Sequence, residues 1–569
     1  STMRKIKGTT LLIYDQTCAA EKRRRRKRGT YPDPNQRYFI NERVCEGCGD
    51  CSVQSNCVSI QPLDTPFGRK RRIDQSSCNK DYSCVEGFCP SFVTITGSQL
   101  KQASALVNLD KALHEAKLHQ PSLPTLKEED SFNILITGVG GTGIVTIGAL
   151  LGMAAHIDNL SVSVVDQLGF AQKGGSVVTH VKLAQSQMEI HSARINSAAT
   201  DTLIACDMLV AGHDKILPKL NPSKTSAIIN TEQNFTGDFT LNADLQYPEK
   251  TLITRLESVT KQSDTRFLPA SKLARNLLGD SLATNLLLTG YAWQAGLIPI
   301  SREAIHEAIE LNGISVDWNK KAFACGRLLA HQPSLQEELL TDSEQVVELI
   351  DTHSDDVIKT LTNELEAYQD VDYGRQFHEY MIGIQEQLSS LSSKREHVTS
   401  MIAKSLFKLM AYKDEYEVAR LHTDPAFLQQ LEQQFDGNFS IAFNLAPPLL
   451  APRNKHTGQP RKIKLGSWVL SIFRLLARLK FLRGTLFDPF GYTRERRDER
   501  ALVQHYKRLI EELVQSLRDD NLDNFMAIVS LPLSIRGYGH IKAAAVTRYH
   551  SQLRTLLGEW ESSIRDKAA

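Results

Sequence analysis

The sequence has 569 residues, of which 41% are hydrophobic and 23% charged, and its formal net charge is only +2 at pH 7. This length predicts several domains, and the near-neutral charge excludes a strong overall electrostatic partner and does not favour nucleic acid. The sequence shows no run of about 18 uncharged apolar residues, so we predict no transmembrane helix and no membrane partner. Ten cysteines without a secretory segment indicate a reducing, cytoplasmic location.

The first predicted element is a buried strand at residues 9–15, followed by a turn and a helix at 16–28. A strand and helix placed here look like the last unit of an α/β domain that lies upstream, so we expect a fragment or one piece of a split enzyme. Residues 22–28 are all basic. A solvated helix end is the favoured interpretation, and a patch for an anionic partner is the alternative.

Seven of the ten cysteines fall between residues 45 and 89. Cys45, Cys48 and Cys51 follow the pattern C-x2-C-x2-C, and Cys89 precedes a proline. This is the bacterial pattern for an iron–sulfur cluster, in which a distant Cys-Pro supplies the fourth thiolate. A zinc site usually has paired C-x2-C knuckles, and a disulfide framework is typical of short secreted chains. The pattern therefore predicts a [4Fe-4S] cluster.

The remaining cysteines of this stretch, Cys57, Cys78 and Cys84, are irregularly spaced. Three thiolates can hold a three-iron cluster, or a four-iron cluster with Asp81, Cys18 or water as the last ligand. The sequence leaves these alternatives open. The basic residues 69–72 lie between the two groups, and a solvated hairpin tip is favoured over compensation of cluster charge.

A glycine-rich turn follows an apolar strand at 132–137 and precedes a predicted helix at 143–156. The turn contains Gly138, Gly140, Gly141 and Gly143, and strand–turn–helix is the context in which such glycines approach a phosphate at a helix N-terminus. Asp166, which closes a second strand at 161–165, is where a ribose-binding carboxylate of an NAD site would lie. Packing, or another phosphate ligand, is the alternative.

A second glycine turn with Lys173, Gly174 and Gly175 leads into a strand at 177–183. Two interpretations are equally favoured. Lys173 and the backbone N–H groups of the glycines bind an anion, or the segment is a tight turn before the strand. Apolar strands at 203–211 and 226–230 continue the α/β pattern. Asp280 is predicted to lie near a helix N-cap.

From about residue 330 the apolar spacing is mainly helical, with segments at 336–350, 355–368, 374–391, 394–413, 465–483, 496–521 and 541–564. Prolines and glycines between 447 and 460 predict a long loop. The helix at 465–483 carries basic residues on an otherwise apolar face, so a core helix with snorkelling cations is favoured over a docking helix. Residues 536–540, Arg-Gly-Tyr-Gly-His, are interpreted as a structured turn, with an anion contact as the alternative.

Taken together, the cysteine block from Cys45 to Pro90, the glycine turn and the sequence Gln-Lys-Gly-Gly at 172–175 resemble the C-terminal half of an indolepyruvate ferredoxin oxidoreductase, in the 2-oxoacid:ferredoxin oxidoreductase superfamily. The resemblance implies four parts, which are the end of a thiamine-diphosphate-binding domain at 1–29, a ferredoxin-like iron–sulfur domain at 37–98, a Rossmann-like gamma domain at 130–330 and a helical C-terminal domain at 340–565. The predicted fold class is accordingly multidomain α/β plus α.

That family oxidatively decarboxylates a 2-oxoacid, here an aryl pyruvate such as indolepyruvate, to an acyl-coenzyme A. Ferredoxin takes the electrons, and thiamine diphosphate with Mg, expected in the missing upstream domain, performs the decarboxylation. The resemblance lowers the case for NAD. It also implies that the two glycine turns contact coenzyme A or the interdomain active site, and that the chain forms a homodimer that is incomplete for turnover alone. An NAD(P)-linked iron–sulfur oxidoreductase and a non-catalytic ferredoxin-like carrier are the alternatives.

Overall fold

The structure is a computed structural model of the whole chain. It describes residues 3–101, 106–116, 118–126, 128, 130–168, 175–235, 237–341, 353–390, 394–447, 451–453, 458 and 460–565. These residues form two compact units. The cysteine unit comprises residues 1–55, 70–100 and 358–569, and the glycine-loop unit comprises residues 56–69 and 101–357. No helix among the described residues is long and apolar enough to cross a membrane.

The strands are numbered in chain order. They are β1 (Gln36–Ile40), β2 (Ile60–Leu63), β3 (Lys70–Ile73), β4 (Phe92–Thr96), β5 (Gln99–Leu100), β6 (Phe132–Val139), β7 (Ser161–Leu168), β8 (Ser176–Ala184), β9 (Thr202–Ala205), β10 (Ser226–Asn230), β11 (Thr265–Leu268), β12 (Phe435–Asp436), β13 (Ser440–Leu445) and β14 (Ile463–Leu465).

The α-helices are numbered in the same way. They are α1 (Ala19–Lys27), α2 (Asp50–Ser55), α3 (Leu106–Glu115), α4 (Ile144–Ile157), α5 (Met208–Ala211), α6 (Asp238–Leu241), α7 (Glu249–Glu257), α8 (Ala270–Leu278), α9 (Thr284–Gln294), α10 (Arg302–Asn312), α11 (Val316–His331), α12 (Ser334–Thr341), α13 (Ser354–Tyr368), α14 (Val371–Gln387), α15 (Arg395–Met410), α16 (Glu415–His422), α17 (Pro425–Gln434), α18 (Val469–Arg478), α19 (Arg494–Val514), α20 (Leu522–Ser530) and α21 (Gly539–Arg565).

The cysteine unit contains a four-stranded antiparallel sheet in the order β1-β4-β13-β14. β1 and β4 flank the cysteine block, whereas β13 and β14 come from the C-terminal part of the chain. Val93 and Phe443 lie in register on adjacent strands and are fully buried. They pack with Phe427 of α17 and Phe473 of α18. The predicted domains 37–98 and 340–565 therefore share one sheet and one core within this unit.

The N-terminal segment differs from its prediction. Residues 9–18 form neither strand nor helix, and Leu11 to Tyr14 are 76–80% exposed. The buried strand predicted at 9–15 is therefore wrong, because an apolar run becomes a strand only where a partner strand covers it. The helix that follows is confirmed as α1.

The glycine-loop unit is built on a six-stranded sheet in the order β11-β10-β9-β6-β8-β7. β6, β9, β10 and β11 are parallel, as the βαβ pattern predicts, and β8 runs antiparallel between β6 and β7. The predicted strand at 132–137 and helix at 143–156 are confirmed as β6 and α4. The strand predicted at 203–211 ends at Ala205. The rest of that segment contains the short helix α5, which Asp207 caps.

Close contacts through glycine fix two helices of this unit. A Cβ on Gly290 of α9 would lie 2.0 Å from the Phe323 carbonyl oxygen, and a Cβ on Gly326 of α11 would lie 1.9 Å from that of Leu287. Only glycine at both positions allows the two helix backbones to approach this closely. Both helices are part of the main apolar core, which also contains Trp293.

The mainly helical region after residue 330 is confirmed among the described residues. Of the helix predicted at 336–350, α12 to Thr341 is observed and residues 342–350 lie outside the described residues, and the helix predicted at 496–521 is α19, which ends at Val514. Asp280 is an N-cap, as predicted, and its carboxylate accepts a hydrogen bond from the Leu282 amide at 3.0 Å. The predicted helix at 465–483 is α18, which ends at Arg478. Part of the predicted loop at 447–460 lies outside the described residues.

Candidate functional site

The loop Cys45–Cys51 is shaped by two glycines. Gly47 and Gly49 have φ angles of 68° and 80°, in the left-handed region where glycine carries no steric penalty. The turn aims the Gly47 amide at the Cys45 sulfur, with an N···S distance of 3.3 Å. Such N–H groups stabilise a thiolate and lower the electron density on a metal-bound sulfur.

The segment that carries Cys89 is held against this loop at one point. A Cβ on Gly87 would lie 2.8 Å from the Cys51 Cα and 2.9 Å from its nitrogen, so no side chain fits between the two backbones. The carboxylate of Asp50 accepts a hydrogen bond of 2.6 Å from the Phe88 amide. The two halves of the predicted ligand set, 38 residues apart at their nearest, are thus joined by a backbone contact and a charged hydrogen bond.

Burial and the charge of neighbouring cysteines act together on the thiols of Cys48 and Cys51. Burial raises the pKa of Cys48 to about 12, and the charge of Cys89 adds to the effect. Burial likewise raises the pKa of Cys51 well above its usual value, followed by the charges of Cys89, Cys45 and Cys48. Neighbouring thiols that repel one another as thiolates form a donor set whose repulsion a positively charged metal centre relieves.

These residues fit an iron–sulfur cluster by donor type and by surroundings. The set is all-sulfur, has an amide directed at one sulfur, and contains a glycine where a side chain would push the two segments apart. Among the described residues, no group of three His, Cys, Asp or Glu side chains is placed so that it could hold a single metal ion. Cys45, Cys48, Cys51 and Cys89 would hold the cluster, which supplies one-electron transfer when bound.

Buried cations surround the cysteine loop. Lys70 and Arg71 are only 5% and 1% exposed, so the solvated hairpin tip predicted for residues 69–72 is wrong for these two. Arg71 acts to lower the pKa of the Cys51 thiol. Burial lowers the pKa of Lys70 well below its usual value, with Lys413 adding to that effect and Glu46 opposing it. The alternative, compensation of thiolate charge, agrees with these positions.

Glu46, next to Cys45, is the centre of a buried ion network. It pairs with Lys408 and, at 2.9 Å, with Lys413. Burial raises the pKa of Glu46, but the charges of Lys408 and Lys413 outweigh burial and hold it well below the usual range. Glu46 therefore remains a carboxylate, and the lysines around it outnumber it.

The C-terminal region holds the cysteine segments by several further hydrogen bonds. Lys413 donates to the Cys45 carbonyl at 3.2 Å, and Lys462 donates to the carbonyls of Gly87 and Cys89 at 2.5 and 3.2 Å. Asn41 donates to the Leu421 carbonyl at 2.9 Å. No sequence pattern points to these residues, since lysines far from a motif look like ordinary surface positions.

The turn at residues 536–540 packs against the cysteine loop at residues 45–51. Tyr538 donates a 2.6 Å hydrogen bond to the Val44 carbonyl, and the position of a Gly537 Cβ is 3.5 Å from the Cys48 Cβ. The centroids of the His540 and Phe88 rings are 4.8 Å apart. The structured turn predicted here is confirmed, and its glycines, with φ angles of 102° and 51°, permit the approach.

The second cysteine group is less organised. Cys78 accepts a weak bond from the Lys80 amide at 3.5 Å, and Cys84 lies in a single 3₁₀ turn. Burial raises the pKa of Tyr82 to about 12, and the charge of Cys78 adds to this. Cys57 is buried on a segment of the glycine-loop unit. A second cluster on these residues stays a prediction.

Part of the basic run of α1 is used in this region rather than solvated. Arg23 donates to the Ser77 carbonyl at 2.8 Å, and Arg26 donates to the Asn79 carbonyl at 2.6 Å, one on each side of Cys78. Arg24 and Arg25 instead pair with Glu21 on the helix surface. The solvated helix end therefore describes only part of the run.

The glycine turn of the other unit has clear structural requirements. Gly141 and Gly143 have φ angles of 88° and 98°, and a Cβ on Gly138 would lie 2.4 Å from the Ile144 side chain. The Gly140 amide donates to the Gly175 carbonyl at 2.8 Å, which joins the two glycine turns. The turn is solvent-exposed at the N-terminus of α4, where the first amides have no partner within the helix. Lys173 and Gly174 lie outside the described residues.

Asn285 fixes the same turn from a neighbouring helix. Its side-chain amide donates to the Thr142 carbonyl at 2.9 Å and is buried. Asp166 does not close its strand as predicted, because β7 continues to Leu168 and the carboxylate accepts a 2.5 Å hydrogen bond from Thr179. The insertion of β8 beside β6 also separates Asp166 from the strand that carries the turn.

Part of the chain is similar in sequence to known oxidoreductases. Residues 133–329 match the family described as pyruvate ferredoxin/flavodoxin oxidoreductase. The chain is 31% identical over 200 residues to the indolepyruvate oxidoreductase subunit IorB of Pyrococcus horikoshii, covering 34% of this chain and 94% of that protein. It is 32% identical to the IorB of Archaeoglobus fulgidus, covering 34% and 92%.

This chain belongs to the indolepyruvate ferredoxin oxidoreductase family. That family lies in the 2-oxoacid:ferredoxin oxidoreductase superfamily. The oxidoreductase gamma subunit from Geobacter sulfurreducens PCA, a solved structure, is 20% identical to this oxidoreductase chain and covers 35% of it and 98% of itself, with a TM-score of 0.25. Residues 354–555 match a family of unknown function, DUF6537.

Proposed function

We propose that this chain is the iron–sulfur and gamma portion of an indolepyruvate:ferredoxin oxidoreductase. The reaction is the oxidative decarboxylation of an aryl 2-oxoacid to an acyl-coenzyme A, with the electrons passed to ferredoxin. Thiamine diphosphate and Mg would act in another segment or subunit, as the family resemblance implies. In this chain, Cys45, Cys48, Cys51 and Cys89 would hold the cluster that receives the electrons.

One observation supports this proposal most strongly. Two separate cysteine segments meet at the backbone contact between Gly87 and Cys51, with Cys45 and Cys51 buried and Cys48 and Cys89 half-buried, and an iron–sulfur site requires such a joined set of thiols. The match of residues 133–329 to the pyruvate ferredoxin/flavodoxin oxidoreductase family, and the similarity of 200 residues to IorB subunits, add the oxidoreductase context. The exposed glycine turn at Gly138 to Gly143, joined to Gly175, is the proposed contact for coenzyme A or for the partner active site.

The proposal is tested by anaerobic iron and sulfide analysis of the full chain, with EPR of the dithionite-reduced protein. We expect a [4Fe-4S] signal that is lost in C48S and kept in C325A. Cys325 is a matched control because it is a buried cysteine of α11 in the other unit. Stoichiometric zinc without an EPR signal, in protein expressed with iron supplied, would contradict the proposal.

The reaction itself is tested by combining the chain with a thiamine-diphosphate subunit of the same family. Indolepyruvate and coenzyme A should then reduce methyl viologen, and C48S should abolish this reduction. Viologen reduction that proceeds equally with C48S would show that the electrons bypass these cysteines.

A further inference from the structure

The region of unknown function, residues 354–555, carries two lysines that reach the predicted cluster ligands. They are Lys462, just before β14, and Lys413, between α15 and α16. Both lie within the cysteine unit together with the cysteine loop and with the segment of Cys89. The family description assigns no role to either residue.

Lys462 is placed at the Cys89 end of the ligand set. Its ammonium donates to the carbonyls of Gly87 and Cys89 and lies 4.9 Å from the centroid of the Phe92 ring. Burial lowers its pKa, and thiolate charge on Cys89, Cys51 and Cys84 opposes that effect. The side chain therefore acts electrostatically on both cysteine groups.

Lys413 is placed at the Cys45 end. Its ammonium donates to the Cys45 carbonyl at 3.2 Å and pairs with Glu46 at 2.9 Å. Lys408 also pairs with Glu46, so this carboxylate neutralises only one of the two lysines. A positive charge therefore remains beside each of the two segments that carry the thiols.

Reduction of a cluster adds one negative charge to a site that already holds four thiolates. In a buried environment a nearby fixed cation stabilises the more negative, reduced state. We propose that Lys462 and Lys413 of the DUF6537 region are positioning residues of the iron–sulfur site, which hold the backbone carbonyls of Cys89 and Cys45 and raise the reduction potential of the cluster. This inference rests on the proposed function.

The test is an EPR redox titration of the full chain with Lys462 variants. K462Q removes the charge but keeps a hydrogen-bond donor, and K462R keeps the charge. K464Q is the matched control, since Lys464 lies two residues away, is exposed, and donates to the Gln36 side chain at 3.0 Å. At the wild-type midpoint, K462Q should lower the reduced-to-oxidised ratio about tenfold, which is 59 mV for a one-electron couple.

K462R and K464Q should show the same midpoint potential as the wild-type protein, which would support the charge of Lys462 as the cause of the shift in K462Q. Equal shifts in K462Q and K464Q, or no shift in either, would overturn the inference. If K462Q loses its iron, K413Q is the deciding variant. A wild-type midpoint potential in K413Q would overturn the inference, and a lowered one would support it. Absence of iron and sulfide from the wild-type chain is a separate result, which refutes the proposed function itself.

Discussion

Gly87→Ala probes the contact that joins the two cysteine segments. Gly87 has φ −54° and ψ 134°, a conformation open to alanine, so backbone freedom is not what requires glycine here. The new Cβ would lie 2.8 Å from the Cys51 Cα, whereas carbon atoms in contact are separated by about 3.5–4.0 Å. Because the obstacle is backbone, the overlap of roughly 1 Å must move one cysteine segment away from the other.

Overpacking of this kind costs about 1–3 kcal/mol, and the smaller entropy of the unfolded alanine chain offsets about 0.4–1 kcal/mol of it. We expect G87A to lower the free energy of unfolding by about 1–2 kcal/mol and to reduce bound iron. Urea unfolding under argon and iron analysis measure the two effects on the same sample.

Gly383→Ala serves as the control for this substitution. Gly383 lies inside α14, and a Cβ there would contact nothing within 4 Å. The same change should therefore stabilise the helix by about 0.5–1 kcal/mol and leave the iron content unchanged. A G87A protein with full iron and wild-type stability would refute the argument that this backbone contact sets the spacing of the ligands.

Three further substitutions test the packing and charges of both units. G326A should cost more than about 3 kcal/mol in thermal or urea unfolding, because its Cβ would lie 1.9 Å from the Leu287 carbonyl oxygen, and near-wild-type stability would contradict the contact. D414A should lower the free energy of unfolding by about 3–5 kcal/mol, because the buried Arg483, which Asp414 binds at 2.5 Å, would lose its counter-ion. The double variant D414A with R483L should recover part of that loss. Burial, then the charges of Lys219 and Arg194, lowers the pKa of His180 from 6.5 to about 4. Since only the unfolded state is protonated between these values, stability should fall by about 2 kcal/mol from pH 7.5 to pH 5, and H180Q should flatten that slope.

Local sequence patterns predicted the features that short-range chemistry decides. The strand–turn–helix around Gly138 is such a feature, as is the N-cap at Asp280. Each depends on residues a few positions apart, so the pattern and the structure contain the same information. The long helical region after residue 330 was predictable for the same reason.

The features that sequence could not predict depend on distant partners. The run at 9–15 is apolar enough for a strand, but no strand of the described residues pairs with it. Lys70 and Arg71 look like a hairpin tip in the sequence, but both are buried, Lys70 interacts with Glu46, Lys408 and Lys413, and Arg71 acts on Cys51. The place of β8 between β6 and β7 is likewise set by pairing across the sheet, which no local periodicity reports.

The shared sheet of the cysteine unit has a consequence for biosynthesis. β4, which follows Cys89 directly, pairs with β13, and the Cys89 carbonyl is bound by Lys462. These partners are made about 350–370 residues later, which at 5–20 residues per second is roughly 20–75 s of translation. The cysteines of residues 45–89 therefore leave the ribosome well before β13 and Lys462, which pack around them, are made. On the proposed function, the cluster would enter the finished site late, and the thiols of the unfinished chain would need protection from oxidation until then.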